Sequence, residues 1–142
     1  MKFSTKTRYG IRTMLEIATS YDGDGVLQKD ISRKQQISNK YLDQIINNLK
    51  IAGLIINVQG KKSGYRLTKE PSLITMYDIH RAFDSGICVI DCIDSHFNCK
   101  RQKNCQVRDF WSGLNSCVID YFKSTTLQDL LNNARVNGIA DI

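Results

Sequence analysis

The stretch from residue 38 to residue 67 constrains this chain more than any other. Ser38 stands before a segment in which Tyr41, Leu42, Ile45, Ile46 and Leu49 recur with helical period, and Gly53 follows it. A serine in that place can accept from an otherwise unpaired first-turn amide, and a glycine after the last turn tolerates the left-handed backbone that closes a helix. A helix over residues 39–52 is predicted. Leu54 to Gln59 then reads as a strand, Gly60-Lys61-Lys62-Ser63-Gly64 as a hairpin tip, and Tyr65-Arg66-Leu67 as the return. A capped amphipathic helix running into a short hairpin with a basic, glycine-flanked tip is the reading half of a winged helix-turn-helix. Nucleic acid is therefore the first partner to consider.

The flanking segments complete such a domain. Residues 4–20 place Ile11, Met14, Leu15 and Ala18 on one helical face, with Ser4 or Thr5 as the cap. Asp22-Gly23-Asp24-Gly25 is a turn, residues 27–34 form a short helix with Ile31 inward, and Gln35-Gln36-Ile37 turns into the next helix. Pro71, the only proline, marks the exit from the hairpin unit. Thr75 caps a helix through residue 84, with Ile79, Ala82 and Phe83 inward and Gly86 at its end. Residues 87–106 have no helical period and read as a loop. Residues 107–123 form a long helix with a wide apolar stripe of Val107, Phe110, Trp111, Leu114, Val118, Tyr121 and Phe122, and Cys117 on the same side reads as a buried thiol. One small domain has little left to cover that stripe, so a second copy of the chain is expected on it in preference to packing back. Ser124-Thr125-Thr126 recaps a short helix to residue 133. The expected fold is mostly α with a small β wing. It divides into a winged helix-turn-helix DNA-binding domain at 1–86, a cysteine-rich sensor loop at 87–106, and a long C-terminal dimerisation helix with its tail at 107–142.

Charge follows the same division. Residues 1–81 hold 14 Lys+Arg against 7 Asp+Glu, whereas residues 82–142 hold 6 against 7. A polyanion would gain counterion release from the N-terminal part alone. A solvated basic surface accounts for the same excess, so charge by itself leaves both readings open. The exposed side of the helix at 39–52 offers Asn39, Lys40, Asp43, Gln44 and Asn47. These are side chains able to pair with base edges or phosphates, although a generic solvated helix face has a similar composition. No run of about 18 apolar residues is present, and no apolar stretch of signal-peptide length follows Met1, so no membrane partner and a cytoplasmic location are expected.

The motifs resemble the IscR, NsrR and CymR family of bacterial winged-helix regulators (the Rrf-two type). The resemblance runs through Lys2-Phe-Ser-Thr-Lys-Thr-Arg-Tyr-Gly10, Lys40-Tyr-Leu-Asp-Gln44 and Leu49-Lys-Ile-Ala-Gly-Leu54. It continues in Gly60-Lys-Lys-Ser-Gly-Tyr-Arg-Leu67, the cysteine loop and Ser124-Thr-Thr-Leu127. It implies a homodimeric transcription factor on a palindromic double-stranded DNA operator. Asn39, Lys40, Asp43 and Gln44 would face the bases, and Gln59, Lys61 and Lys62 would lie on the wing. Asp43 suits a cytosine amino group and Gln44 an adenine. Family members often place an arginine at the position of Gln59, whose uncharged amide lacks that planar fork.

Four of the five cysteines fall between residues 88 and 105. In a reducing compartment such a cluster points to metal or redox chemistry rather than to disulfides. The resemblance implies an iron–sulfur cluster, 2Fe-2S or 4Fe-4S, on Cys92, Cys99 and Cys105, which are soft donors beside Lys100, Arg101, Lys103 and Arg108. The fourth ligand stays open. One branch uses a histidine where this chain has Arg108, and another an acidic residue where it has Arg8. Cys88, His96, Asp91, Asp94 or a small exogenous ligand are the remaining choices. Zinc is disfavoured because its short ligand pairs are missing. A cluster-free regulator controlled by cysteine oxidation or by a partner protein is the alternative. No Cys-x-x-Cys within a βαβ frame and no catalytic triad stands out, so an enzyme is not expected.

Overall fold

The computed structural model describes residues 1–58 and 64–136; the predicted wing-tip positions Gln59, Lys61 and Lys62 lie outside the described residues. Ser4 accepts from the Thr7 amide and opens α1, Thr5–Ala18. α2, Gln28–Gln35, ends at Gln36 in the left-handed region, and Ser38 accepts from the Tyr41 amide to open α3, Asn39–Ile51. Gly53, with φ of +74°, turns the chain into β1, Ile55–Val58, as its position predicted. β1 pairs antiparallel with β2, Gly64–Leu67, in the register Ile55 opposite Leu67 and Val58 opposite Gly64. Val26 adds an isolated antiparallel bridge on the other edge of β2 by exchanging both backbone hydrogen bonds with Tyr65, each 2.8 Å. A helix-turn-helix carrying a small antiparallel wing is thus assembled.

Thr75 and Asp78 form a reciprocal capping box that starts α4, Met76–Arg81, shorter than the predicted span to residue 84. The chain leaves the helix at Ala82 and Phe83 in tight turns, and the Phe83 ring lies against Gly10 of α1, where a side chain would collide with it. α5 is Arg108–Ser124 and α6 is Leu127–Val136. Thr126 and Asp129 cap α6 reciprocally at 2.8 and 3.1 Å. Its Leu127 amide donates to the Ile74 carbonyl at 2.8 Å, which returns the chain to the segment just before α4. One core joins Met14 and Ile17 of α1, Ile31 of α2, Leu42, Ile45 and Leu49 of α3, Ile55 of β1, Ile79 of α4 and Leu127 of α6.

Two expectations need correction. The inward face of α1 is Thr7, Gly10, Thr13, Met14, Glu16, Ile17 and Ala18, while Ile11 and Leu15 are only half-buried. Distant side chains satisfy Thr7 and Glu16 on that face, whereas the buried Thr13 hydroxyl has no hydrogen-bond partner among the described residues. Cys117, expected to be a buried thiol, is exposed. α5 buries none of its residues within the single chain; Phe110 is 64% exposed and Tyr121 70%. Phe122 is one of the points where α5 meets the rest, stacked on Phe3 with ring centroids 4.9 Å apart.

Candidate nucleic-acid interface and cysteine loop

The candidate recognition face is a consequence of how α3 is buried. Leu42, Ile45, Ile46 and Leu49 project into the core, and Asn39, Lys40, Asp43, Gln44 and Asn47 all remain exposed on the opposite side. The turn that aims this face is anchored on α1. Glu16, 2% exposed, accepts from Gln35 Nε2 at 2.9 Å, and Gln35 Oε1 accepts from Arg12 Nε at 2.9 Å. A second Arg12 nitrogen donates to the Gln35 carbonyl, and Ser32 Oγ donates to the Ile37 carbonyl at 2.6 Å. Each buried polar group in this turn has a partner, so the α2–α3 angle is held by directional bonds as well as by packing. On the wing side, Lys50 Nζ donates to Asn57 Oδ1 at 3.2 Å and lies over the Tyr65 ring.

Gln28, at the start of α2, was not visible as a site residue in the sequence. Its Nε2 donates to Asp43 Oδ1 at 2.6 Å and to the Asn39 carbonyl at 3.3 Å. It also lines, with Lys29, Asn57 and Tyr65, an open hollow of about 430 Å³ between α2 and the wing strands.

The cysteine loop spans the gap between α4 and α5. Asn115 Oδ1 accepts from the Val89 amide at 2.8 Å, and Arg108 Nη1 donates to the Cys92 carbonyl at 2.9 Å. Arg108 thereby ties the first half of the loop to the start of α5. Cys92, Cys99 and Cys105 are half-buried, while Cys88 and His96 are exposed. Three half-buried thiols on one loop are the donor type an iron–sulfur cluster takes. Among the described residues, no three His, Cys, Asp or Glu side chains converge as metal ligands.

A polar latch fastens the loop entrance to α1. His80, 3% exposed, faces the Gly86 carbonyl through Nε2 at 2.9 Å; a carbonyl only accepts, so that nitrogen carries a proton. Its Nδ1 lies 3.2 Å from Thr7 Oγ1, and Thr7 and Ser4 hydroxyls both donate to Asp84 Oδ2, at 2.8 and 3.0 Å. Phe3 and Phe122 rings pack edge-on against the imidazole. The sequence carries His80 and Asp84 one helical turn apart, but nothing in it links them to Thr7.

The family model described as an iron-dependent transcriptional regulator, Rrf2, matches residues 3–133. The chain belongs to the Rrf2 family. Its Rrf2 relatives include the HTH-type transcriptional regulator IscR of Vibrio vulnificus, 31% identical over 141 residues, which are 99% of this chain and 83% of that one. CymR of Bacillus subtilis is 33% identical over 130 residues, 92% of this chain and 89% of its own length. Among solved structures, CymR, the global cysteine regulator of B. subtilis, superposes with a TM-score of 0.79 at 32% identity, covering 94% of this chain and 98% of that one. IscR of T. potens gives 0.75 at 31%, covering 94% and 88%. The winged-helix fold is that of the Rrf2 regulators, and the chain is a DNA-binding transcriptional regulator, not an enzyme. No helix among the described residues is long and apolar enough to cross a membrane.

Proposed function

We propose that the protein acts as a homodimer on a palindromic operator and reports iron–sulfur status through its cysteine loop. The observation that carries the DNA reading is the division of α3 into a side where Leu42, Ile45, Ile46 and Leu49 are buried and Tyr41 is half-buried, and an exposed side made of Asn39, Lys40, Asp43 and Gln44. In the groove, Asp43 accepts from a cytosine amino group and Gln44 pairs with adenine, while Lys40 and the wing residues Gln59, Lys61 and Lys62 bear on the backbone. The exposed apolar side of α5 supports dimerisation, since Val107, Phe110, Leu114 and Tyr121 would otherwise stay in water. Two half-sites must then lie about 34 Å apart, one turn of DNA.

Cys92, Cys99 and Cys105 would hold the cluster; when bound it supplies a redox-labile iron centre within the loop. The chain's own part is mechanical. The loop joins α4 of the reading domain to α5 of the dimer contact, with Arg108 and the His80 latch as its two anchors. Any change in loop packing shifts one recognition helix relative to the other. A second reading is direct oxidation of the thiols or control by a partner protein in a cluster-free regulator; among the described residues no three His, Cys, Asp or Glu side chains are placed to hold a metal together.

Purification without air tests the choice. The cluster reading expects a brown protein whose iron, sulfide and visible absorption are lost together in Cys92→Ser, Cys99→Ser and Cys105→Ser. A colourless, metal-free protein whose DNA affinity changes on mild peroxide treatment establishes the thiol reading instead.

A further inference from the structure

The contact between Gln28 and Asp43 joins two helices through side chains that both lie at the reading face. Gln28 Nε2 reaches Asp43 Oδ1 at 2.6 Å and the Asn39 carbonyl at 3.3 Å. Reversing the amide would set its oxygen against a carboxylate and a carbonyl, so the partners themselves fix which atom is the donor. Asp43 makes no ion pair among the described residues, although Lys40 stands three positions before it on the same helix face. Gln28 therefore holds the carboxylate in a place an adjacent lysine would compete to take.

The consequence for recognition is chemical. With Oδ1 engaged, Asp43 presents Oδ2; with Nε2 engaged, Gln28 has only Oε1 left to offer. Both are acceptors. In the major groove, cytosine N4 and adenine N6 carry amino donors, whereas guanine O6 and N7 and thymine O4 only accept. We propose that Gln28 is a positioning residue for base recognition: it fixes Asp43 so that the free carboxylate oxygen Oδ2 selects an amino-bearing base. This rests on the placement of Asp43 in the groove proposed above.

Selection from randomised duplexes, followed by sequencing, tests it with the wild type, Gln28→Leu, Gln28→Glu, Asp43→Ala and the double variant Gln28→Leu/Asp43→Ala. Gln28→Glu keeps the side-chain length and adds an acid in the first turn of α2, where helices accept one, so it is expected to fold. One position per half-site should favour cytosine or adenine by roughly fivefold or more in the wild type. Both Gln28 variants should lower that preference at least about threefold at that position alone, and the uncharged Gln28→Leu should do so with the salt dependence unmoved. In the Asp43→Ala background, Gln28→Leu should have no further effect. An unchanged preference in both Gln28 variants, a change spread over the whole site, or a persisting effect without Asp43 overturns the assignment. A wild type that binds duplexes without an amino-base preference overturns it as well. A wild type that binds no duplex at any salt concentration overturns the proposed reading face itself, and is told apart by affinity alone.

Discussion

At Gly25 the backbone takes φ of +92°, and a Cβ there would lie 2.6 Å from Val58 Cγ2 and 3.1 Å from the Tyr65 carbonyl oxygen. Gly25 immediately precedes Val26, whose two hydrogen bonds with Tyr65 dock the turn after α1 onto the wing strands. Gly53 has a similar φ of +74°, but a Cβ there would meet nothing within 4 Å. The two positions separate backbone strain from crowding. Gly53→Ala should cost about 1 kcal/mol, the strain of a left-handed alanine alone. Gly25→Ala should cost about 2–3 kcal/mol, because the added methyl also pushes β1 and β2 away from the turn. Urea denaturation of both variants measures the difference, and equal losses would show that the wing gives way without resistance.

At the scale of the elements, α5 buries none of its residues within the single chain. Phe110→Asp should therefore leave the unfolding free energy of an isolated chain within about 0.5 kcal/mol of wild type. In a dimer built on this helix it would desolvate a carboxylate, and sedimentation should show monomers where the wild type gives dimers. The elements themselves were largely legible. Ser38 and Gly53 bracket α3, Thr75 starts α4, and the stripe Leu42, Ile45, Ile46, Leu49 assigns Asn39, Lys40, Asp43 and Gln44 to the outside by elimination. What escaped was burial that depends on remote partners. Thr7 and Glu16 are inside α1 because His80 and Gln35 meet them, and periodicity counts only apolar residues. Gln28 escaped for the same reason, being placed at the reading face by a bond to a different helix. The loop at 87–106 has no repeating pattern, and its anchors, Asn115 and Arg108, belong to the following helix.

For the molecule as a whole, the uneven distribution of charge and the expected twofold axis make one joint prediction. The basic excess lies in residues 1–81, so the electrostatic part of DNA affinity should come from the reading domains and scale with how many of them touch the duplex. Each phosphate contact contributes about 0.9 to the slope of log affinity against log salt. Lys40→Ala should thus flatten the slope by about 0.9 in a protein that binds as one subunit, and by about 1.8 in a dimer, which loses both copies. Affinity should fall on every sequence alike. Gln44→Ala should instead leave the slope intact and relax sequence preference. Repeating the Lys40→Ala titration on the Phe110→Asp background provides the internal control, because a monomeric protein should return the single-subunit decrement. Titrations across a salt series by fluorescence anisotropy read all of these slopes. A decrement of the same size in both backgrounds would mean that α5 does not bring two reading domains to one duplex.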